Sequence, residues 1–150
     1  MRMNIINSLR LSCLLVIFSA IPAMATMPDH SSAPQSIVIT ADELNKMIQD
    51  NASFVLIDAR YDELFTSGHI PGAINIPADQ VNSGTLAEHA EDMNTKLIFY
   101  CSDTHCPASR IGAAKAIGAG YKYVYEFPGG YADWQTHGYD VTKAQLPAAQ

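Results

Sequence analysis

Two cysteine residues, five positions apart, are the side chains in this sequence best suited to nucleophilic chemistry. An unbroken apolar run, residues 97–100, ends at Cys101, and from Pro107 onward the composition is that of a helix rich in small residues. The loop between them contains polar or ionisable side chains and the second thiol: Ser102, Asp103, Thr104, His105 and Cys106. The pattern therefore predicts a strand, a cysteine-containing loop and a helix, in that order.

The predicted position of Cys101 favours an ionised, reachable thiol. The carboxyl end of a buried strand faces the amino end of the helix that follows it, where backbone N–H groups converge and the helix dipole stabilises negative charge. Such surroundings lower the pKa of a thiol from its ordinary value of about 8.5. Cys101 is therefore a candidate nucleophile that carries a thiolate or a persulfide. The competing interpretation is an inert buried thiol, the usual state of a cysteine in an apolar run.

Cys106 has three interpretations that the sequence leaves open. It is a redox thiol that closes a disulfide with Cys101, a second acceptor for sulfur from Cys101, or a plain neighbour of the helix start. An exported dithiol without a reductant tends to oxidise, which favours the redox role. A metal site made of Cys101, His105 and Cys106 has suitable ligand types, but no second ligand cluster accompanies it in the sequence, so no metal is predicted.

Two cations near the loop, His105 and Arg110, are candidate partners for an anionic sulfur donor. The competing interpretation is a solvated loop histidine and an arginine on the helix surface. Asp103 lies in the same loop and opposes anion binding, which argues against thiosulfate as the physiological donor. Asp58 and Arg60 follow another apolar run, and we expect them to form an ion pair or hydrogen bonds under the loop, as scaffold rather than catalytic groups.

The elements that must position these residues alternate between strands and helices. Apolar runs predict strands at residues 37–39, 54–57, 74–77, 97–100 and 123–127. Helical spacing, together with helix-start and helix-stop signals, predicts helices at residues 41–49, 61–66, 86–93, 107–119 and 131–137. This order predicts an α/β fold, with a small parallel sheet of about five strands flanked by helices on both faces.

The first 25 residues have the organisation of a secretory signal peptide. Two arginines precede an apolar run over residues 11–21, and Ala23 and Ala25 have the small-x-small spacing of a cleavage site. The sequence thus predicts a signal peptide over residues 1–25 and a periplasmic or secreted protein. An uncleaved membrane anchor is the competing interpretation, which the shortness of the apolar run disfavours.

A flexible linker rich in serine and proline, residues 26–36, is predicted to precede a single domain, residues 37–145. Removal of the leader changes the net charge from -6 to about -8, which argues against nucleic acid as a partner. It leaves Cys101 and Cys106 in an oxidising compartment. We therefore expect no stable membrane insertion after cleavage and a possible redox partner protein.

Ordered segments along the chain resemble those of single-domain rhodaneses, the thiosulfate sulfurtransferase family: residues 56–60, 68–77, 100–101, 120–121 and 129–138. The Gly-His-Ile-Pro-Gly-Ala stretch at residues 68–73 is the most specific of them. The resemblance implies a small α/β domain in which Cys101 accepts sulfane sulfur from a small donor, such as thiosulfate or a persulfide. The persulfide then passes its sulfur to a thiophilic acceptor, such as a thiol or cyanide, without a cofactor.

The active-site loop departs from the usual pattern of that family. Members commonly have an arginine and then a serine soon after the cysteine, whereas this loop is longer. Counting back from the end of the helix places Ala108 and Ser109 at those two positions. The resemblance therefore implies an extended loop over residues 102–106, with Ser109 and Arg110 as further site residues.

Other functions remain compatible with the sequence. A thiol–disulfide redox protein would use the pair Cys101 and Cys106, and a rhodanese-like binding module would keep the fold without catalysis. A phosphatase, which shares this fold in some relatives, needs a cysteine and an arginine that frame one phosphate loop. Arg110 lies too far along the chain for that role, so a phosphatase ranks last.

Overall fold

The structure is a computed structural model that describes residues 35–143. The predicted signal peptide, residues 1–25, lies outside the described residues, as do most of the predicted linker and the last two positions of the predicted domain. Among the helices of the described part, none is long and apolar enough to cross a membrane.

Strands and helices alternate through the described residues, as the sequence predicts. The strands are β1 (Ile37–Val38), β2 (Val55–Asp58), β3 (Ile74–Asn75), β4 (Lys96–Tyr100) and β5 (Tyr123–Phe127). The helices are α1 (Ala41–Gln49), α2 (Asp62–Ser67), α3 (Ser83–Ala87), α4 (Ala108–Gly118) and α5 (Gly130–Thr136).

The strands form one parallel sheet in the order β1-β5-β4-β2-β3. Its register aligns Asp58 with Tyr100 and Tyr100 with Phe127. Because parallel strands share a direction, the segments that follow β2, β4 and β5 leave the sheet at the same edge. Cys101 is the first residue after β4, so the cysteine loop emerges at this edge.

Side chains of β4 alternate between two apolar clusters, one on each face of the sheet. Leu97 and Phe99 belong to a cluster that includes residues of α3 and α4. Ile98 and Tyr100 belong to a second cluster with residues of α1 and α5. All four side chains are fully buried. The predicted fold class, an α/β sheet of five parallel strands with helices on both faces, is confirmed.

Helix α3 differs most from its predicted position, since it ends at Ala87 rather than covering residues 86–93. The reason is a local capping box. The side chain of Asn82 accepts hydrogen bonds from the N–H groups of Gly84 and Thr85, and the Thr85 hydroxyl accepts one from the N–H of Asn82. This cap starts the helix earlier than the apolar spacing suggests.

Replacement of Gly112 by alanine is expected to lower the free energy of unfolding by about 1–3 kcal/mol. A Cβ atom at this position of α4 would lie 2.7 Å from Cδ1 of the fully buried Phe99. Gly118→Ala, near the end of the same helix, is the matched control, because its Cβ would meet open space. We expect it to be neutral or stabilising by up to about 1 kcal/mol. Urea unfolding of both variants tests the packing of α4 on β4, and equal stabilities would contradict it.

Candidate active site

Cys101 and Cys106 are joined by a disulfide, the first of the interpretations that the sequence leaves open. Their Cα atoms are 6.2 Å apart, within the range of roughly 4.4–6.8 Å that disulfides require. Cys101 is 1% exposed, whereas Cys106 is partly exposed. The expected reachable thiolate at Cys101 is therefore absent from this oxidised form, in which the disulfide occupies its sulfur atom.

The backbone around Cys101 is held by the start of α5. The carbonyl of Cys101 accepts a hydrogen bond from the N–H of Tyr131 at 2.8 Å, and the carbonyl of Ser102 accepts one from the N–H of Ala132 at 2.9 Å. Gly130 has φ +64, and a Cβ atom there would overlap the carbonyl group of Cys101. The glycine therefore permits the close approach that fixes the first two residues of the loop.

Asp103 shapes the loop that returns the chain to Cys101. Its carboxylate accepts a hydrogen bond from the N–H of His105 at 2.8 Å, and its carbonyl accepts one from the N–H of Cys106 at 3.2 Å. These two bonds turn the chain so that Cys106 meets Cys101. Asp103 has a structural function in the loop that the sequence did not predict.

The amino end of α4 lies beside the disulfide. The first bond of its backbone ladder runs from the N–H of Ile111 to the carbonyl of Pro107, which occupies the N-cap position without a side-chain cap. The N–H groups of Ala108, Ser109 and Arg110 therefore precede the ladder. These N–H groups lie at the positive end of the helix dipole, which favours negative charge at the neighbouring sulfur atoms.

A cavity of about 580 Å³ opens next to the disulfide. Its lining comes from the segment after β2, the segment after β3, the cysteine loop and α4: Ala59, Arg60, Tyr61, Leu64, Ala78, Asp79, Cys101, Ser102, Cys106, Pro107, Ala108, Ile111 and Lys115. The wall is mostly apolar, and it includes three exposed apolar side chains, Tyr61, Leu64 and Ile111. Its volume suits a small organic molecule.

Two cationic side chains, Lys115 and Arg60, occur among the described residues that line the cavity, and both already donate hydrogen bonds within the protein. The ammonium group of Lys115 donates hydrogen bonds to the carbonyls of Ala78, at 2.8 Å, and Asp79, at 3.0 Å. The guanidinium of Arg60 donates to both carboxylate oxygens of Asp58, with a shortest distance of 2.6 Å, and to the carbonyl of Gly68 at 2.8 Å. Asp58 thus neutralises the charge of Arg60, whereas Lys115 is held by neutral carbonyl groups and keeps its positive charge.

The ion pair of Asp58 and Arg60 lies under the site, as scaffold. Both residues are buried, and the guanidinium lies over the rings of Tyr131 and Tyr100, 4.6 Å and 5.8 Å from their centroids. Burial lowers the pKa of Arg60, but the hydrogen bonds and charge of Asp58 outweigh it and raise that pKa above its ordinary value. Burial, followed by the charge of Asp58, raises the pKa of Tyr100, which keeps its hydroxyl neutral.

A sequence model of the family described as Rhodanese-like domain matches residues 40–137, which include the cysteine loop and every residue that lines the cavity. The chain belongs to the rhodanese-like domain family. The match leaves out β1 and the residues after His137.

Similar proteins include sulfurtransferases and one regulator. The chain is 32% identical over 82 residues to the thiosulfate sulfurtransferase GlpE from Pseudomonas syringae, covering 55% of this chain and 73% of that protein. It is 29% identical over 113 residues to an HTH-type transcriptional regulator from Mycobacterium tuberculosis, covering 75% of this chain but 47% of the regulator. The chain therefore spans less than half the length of some of its relatives.

Solved structures with the rhodanese fold superpose on the chain. The BH2092 protein from Bacillus halodurans has a TM-score of 0.67 and 26% identity over 73% of this chain and 78% of that one. A structure described as rhodanese with anions from E. coli has a TM-score of 0.51 and 28% identity over 61% of this chain and 99% of that one. These likenesses support the same fold.

The structure brings together some of the site residues that the sequence predicts and leaves others outside the cavity. Ser102 lines the cavity beside the two cysteines of this rhodanese-like domain. Ser109 is buried on α4 and its hydroxyl donates to the Glu126 carboxylate at 3.0 Å, so it does not line the cavity. Three further residues are exposed and do not line it: Thr104, His105 and Arg110.

The cavity wall contains residues that the sequence did not single out. Tyr61 comes directly after the Asp58–Arg60 segment, Leu64 lies on α2 three positions later, and Ile111 lies one helical turn after Pro107. Their proximity to a strand end and to a helix start is a signal that was present in the sequence. Lys115 carries no such local signal, because its contacts with residues 78 and 79 are distant along the chain.

Proposed function

We propose that the reduced chain is a sulfurtransferase in which Cys101 carries the transferred sulfur as a persulfide. The observation that carries the proposal is the position of Cys101 at the carboxyl end of β4, in the wall of a cavity beside the amino end of α4. The family and the sulfurtransferases among its relatives support the same reaction.

The transfer has two balanced steps. The Cys101 thiolate attacks the outer sulfur of a persulfide donor, the S–S bond of the donor breaks, and the rest of the donor leaves with the bonding electrons as a thiolate. An acceptor thiolate then attacks the outer sulfur of the Cys101 persulfide, and Cys101 returns to its thiolate. The N–H groups at the start of α4 stabilise the Cys101 thiolate, which attacks in the first step and is the leaving group in the second. A thiol reductant must first open the disulfide with Cys106.

We infer that the donor is an organic persulfide rather than thiosulfate. A thiosulfate dianion loses its hydration in a mostly apolar cavity, where Arg60 is already paired with Asp58 and the ammonium group of Lys115 already donates to two carbonyls. We expect kcat/KM for benzyl persulfide to exceed that for thiosulfate by at least about tenfold, because the apolar group is buried against the cavity wall. Steady-state rates with the reduced protein test this, and a higher kcat/KM for thiosulfate would contradict it.

Substitution of an apolar wall residue should lower the use of the organic donor selectively. Tyr61→Ser is expected to reduce kcat/KM for benzyl persulfide by roughly threefold to tenfold and to leave the thiosulfate rate unchanged. Tyr123→Ser is the matched control, because Tyr123 is also exposed but lies on β5, outside the cavity. Equal effects of the two substitutions would argue against donor binding at this wall.

Loading and unloading of the reduced protein test the proposed transfer itself. Intact-mass spectrometry after treatment with benzyl persulfide should show one added sulfur atom in the Cys106→Ser variant, in which no second thiol in the loop competes for the sulfur. A small thiol acceptor should then remove that sulfur. A mass that stays unchanged after treatment with the donor would contradict the proposal and favour a rhodanese-like binding module.

A second candidate function is thiol–disulfide exchange with a redox partner protein, which the disulfide between Cys101 and Cys106 favours. This activity would oxidise a dithiol without any sulfur donor.

We also propose that the protein acts after export and cleavage behind Ala25, since disulfides persist in oxidising compartments. Peptide mapping of the amino terminus of the protein from an extracytoplasmic fraction tests this, and an intact leader would contradict it.

A further inference from the structure

We propose that Cys106 resolves the Cys101 persulfide and releases sulfide, an inference that rests on the proposed sulfur transfer. The structure joins the sulfur atoms of the two residues, so the reduced Cys106 thiol can reach the sulfur atom of Cys101 itself. A persulfide contains that same sulfur atom as its inner member. Attack by Cys106 on the inner sulfur therefore leads back to the observed disulfide.

The loop geometry favours this attack over escape of Cys106 into solvent. Hydrogen bonds from the N–H of Tyr131 and the N–H of Ala132 hold the backbone of Cys101 and Ser102. The two bonds accepted by Asp103 hold the returning half of the loop. None of these four bonds involves a sulfur atom, so we expect them to persist in the reduced protein and to keep Cys106 close to Cys101.

Cys106 is better placed than a thiol in solution to attack the buried sulfur of the Cys101 persulfide. Cys101 is 1% exposed, and it lines the cavity in which the proposed donor and acceptor bind. Cys106 also lines that cavity, beside Pro107 at the start of α4. Its thiolate is therefore stabilised by the same helix end and needs no diffusion to meet the persulfide.

The chemistry of this step balances without a metal or an added oxidant. The Cys106 thiolate attacks the inner sulfur, the bond between the two persulfide sulfur atoms breaks, and the outer sulfur leaves with the bonding electrons as hydrosulfide. The product disulfide is then reduced by a dithiol, which becomes a disulfide. Over one cycle a persulfide and a dithiol yield a thiol, hydrogen sulfide and the oxidised dithiol.

Anaerobic single-turnover experiments test the proposal. The reduced wild-type chain is mixed with one equivalent of benzyl persulfide, without an acceptor thiol, and sulfide and protein mass are followed. We expect one sulfide per chain and a product that has lost two hydrogen atoms, the mass of the disulfide form. Cys106→Ser should hold the sulfur on Cys101 and release sulfide at least about tenfold more slowly. Thr104→Ala, at an exposed loop position outside the cavity, is the control that should behave as wild type.

The outcomes separate this inference from the proposed transfer. If wild type and Cys106→Ser both retain one sulfur on Cys101 and release no sulfide, the resolving role is wrong and the sulfur transfer stands. Sulfur retained on Cys106 of the wild type would also overturn the resolving role, because it would mean attack on the outer sulfur. If Cys106→Ser takes up no sulfur, the proposed transfer fails and the inference fails with it.

Discussion

Cys101→Ser is expected to lower sulfur transfer from benzyl persulfide to a small thiol by at least about 10³-fold, to the background rate. A serine hydroxyl is not ionised at neutral pH and forms no persulfide, so the first step of the transfer is lost. Initial rates of the reduced proteins measure this effect. The expected loss is the largest of any substitution in the domain.

Cys106→Ser is the matched control for that experiment. It also lacks the disulfide, so the two variants share any change in stability that follows from loss of the bond. Because no second thiol in the loop diverts the outer sulfur as sulfide in this variant, we expect its initial rate of transfer to the thiol to be at least equal to that of the reduced wild type. A Cys101→Ser variant with a rate similar to that of Cys106→Ser would exclude Cys101 as the sulfur carrier.

Asp58→Asn is expected to lower the free energy of unfolding by about 3–5 kcal/mol, the largest effect on stability. The carboxylate and the guanidinium of Arg60 are both buried, and they share several hydrogen bonds. Loss of the carboxylate charge leaves the arginine charge buried without its counterion. Urea unfolding of the reduced proteins at neutral pH measures the change.

A surface pair provides the control for the buried pair. At the end of α1, Nζ of Lys46 lies 2.8 Å from Oδ2 of Asp50, the residue after the helix, but the two side chains are 75% and 58% exposed. Asp50→Asn should therefore change the free energy of unfolding by less than about 0.5 kcal/mol. If Asp58→Asn does not fold, the double variant Asp58→Asn/Arg60→Leu, which removes both charges, should recover a folded domain. Equal and small effects of Asp58→Asn and Asp50→Asn would contradict the scaffold role of the buried pair.

Much of the fold could be predicted because its signals are local. The apolar run before Cys101 marks β4, since a strand buried on both faces needs apolar side chains at every position. The Thr40 and Glu43 pair marks the start of α1, and the structure contains the reciprocal hydrogen bonds of a capping box. These features depend on residues a few positions apart, which a sequence displays directly.

The orientation of α4 could not be predicted, because the helix is rich in alanine and glycine and has little contrast between its faces. In the structure, the hydroxyl of Ser109 donates to Glu126 on β5, and Ile111 lines the cavity. Gly112 packs against Phe99, a contact set by the close approach of helix and strand. Which side of α4 faces the sheet depends on packing between segments that are distant along the chain, and this packing leaves no pattern in the sequence of the helix itself.

The disulfide between Cys101 and Cys106 is one of several interpretations that the sequence allows. The features that bring the two thiols together belong to other residues. The turn held by Asp103 and the bonds from α5 to the loop bring the thiols together. The spacing of the cysteines allows this pairing but does not require it. The apolar cavity was also missed, because its wall combines segments after β2, after β3 and along α4.

The position of the transferred sulfur tests the central claim most directly. The reduced Cys106→Ser chain is loaded with benzyl persulfide, alkylated to trap the persulfide, digested and mapped by tandem mass spectrometry. The account predicts one added sulfur atom on Cys101, removed by a thiol acceptor added before alkylation. A chain that carries no added sulfur at Cys101 after treatment with the donor would contradict it.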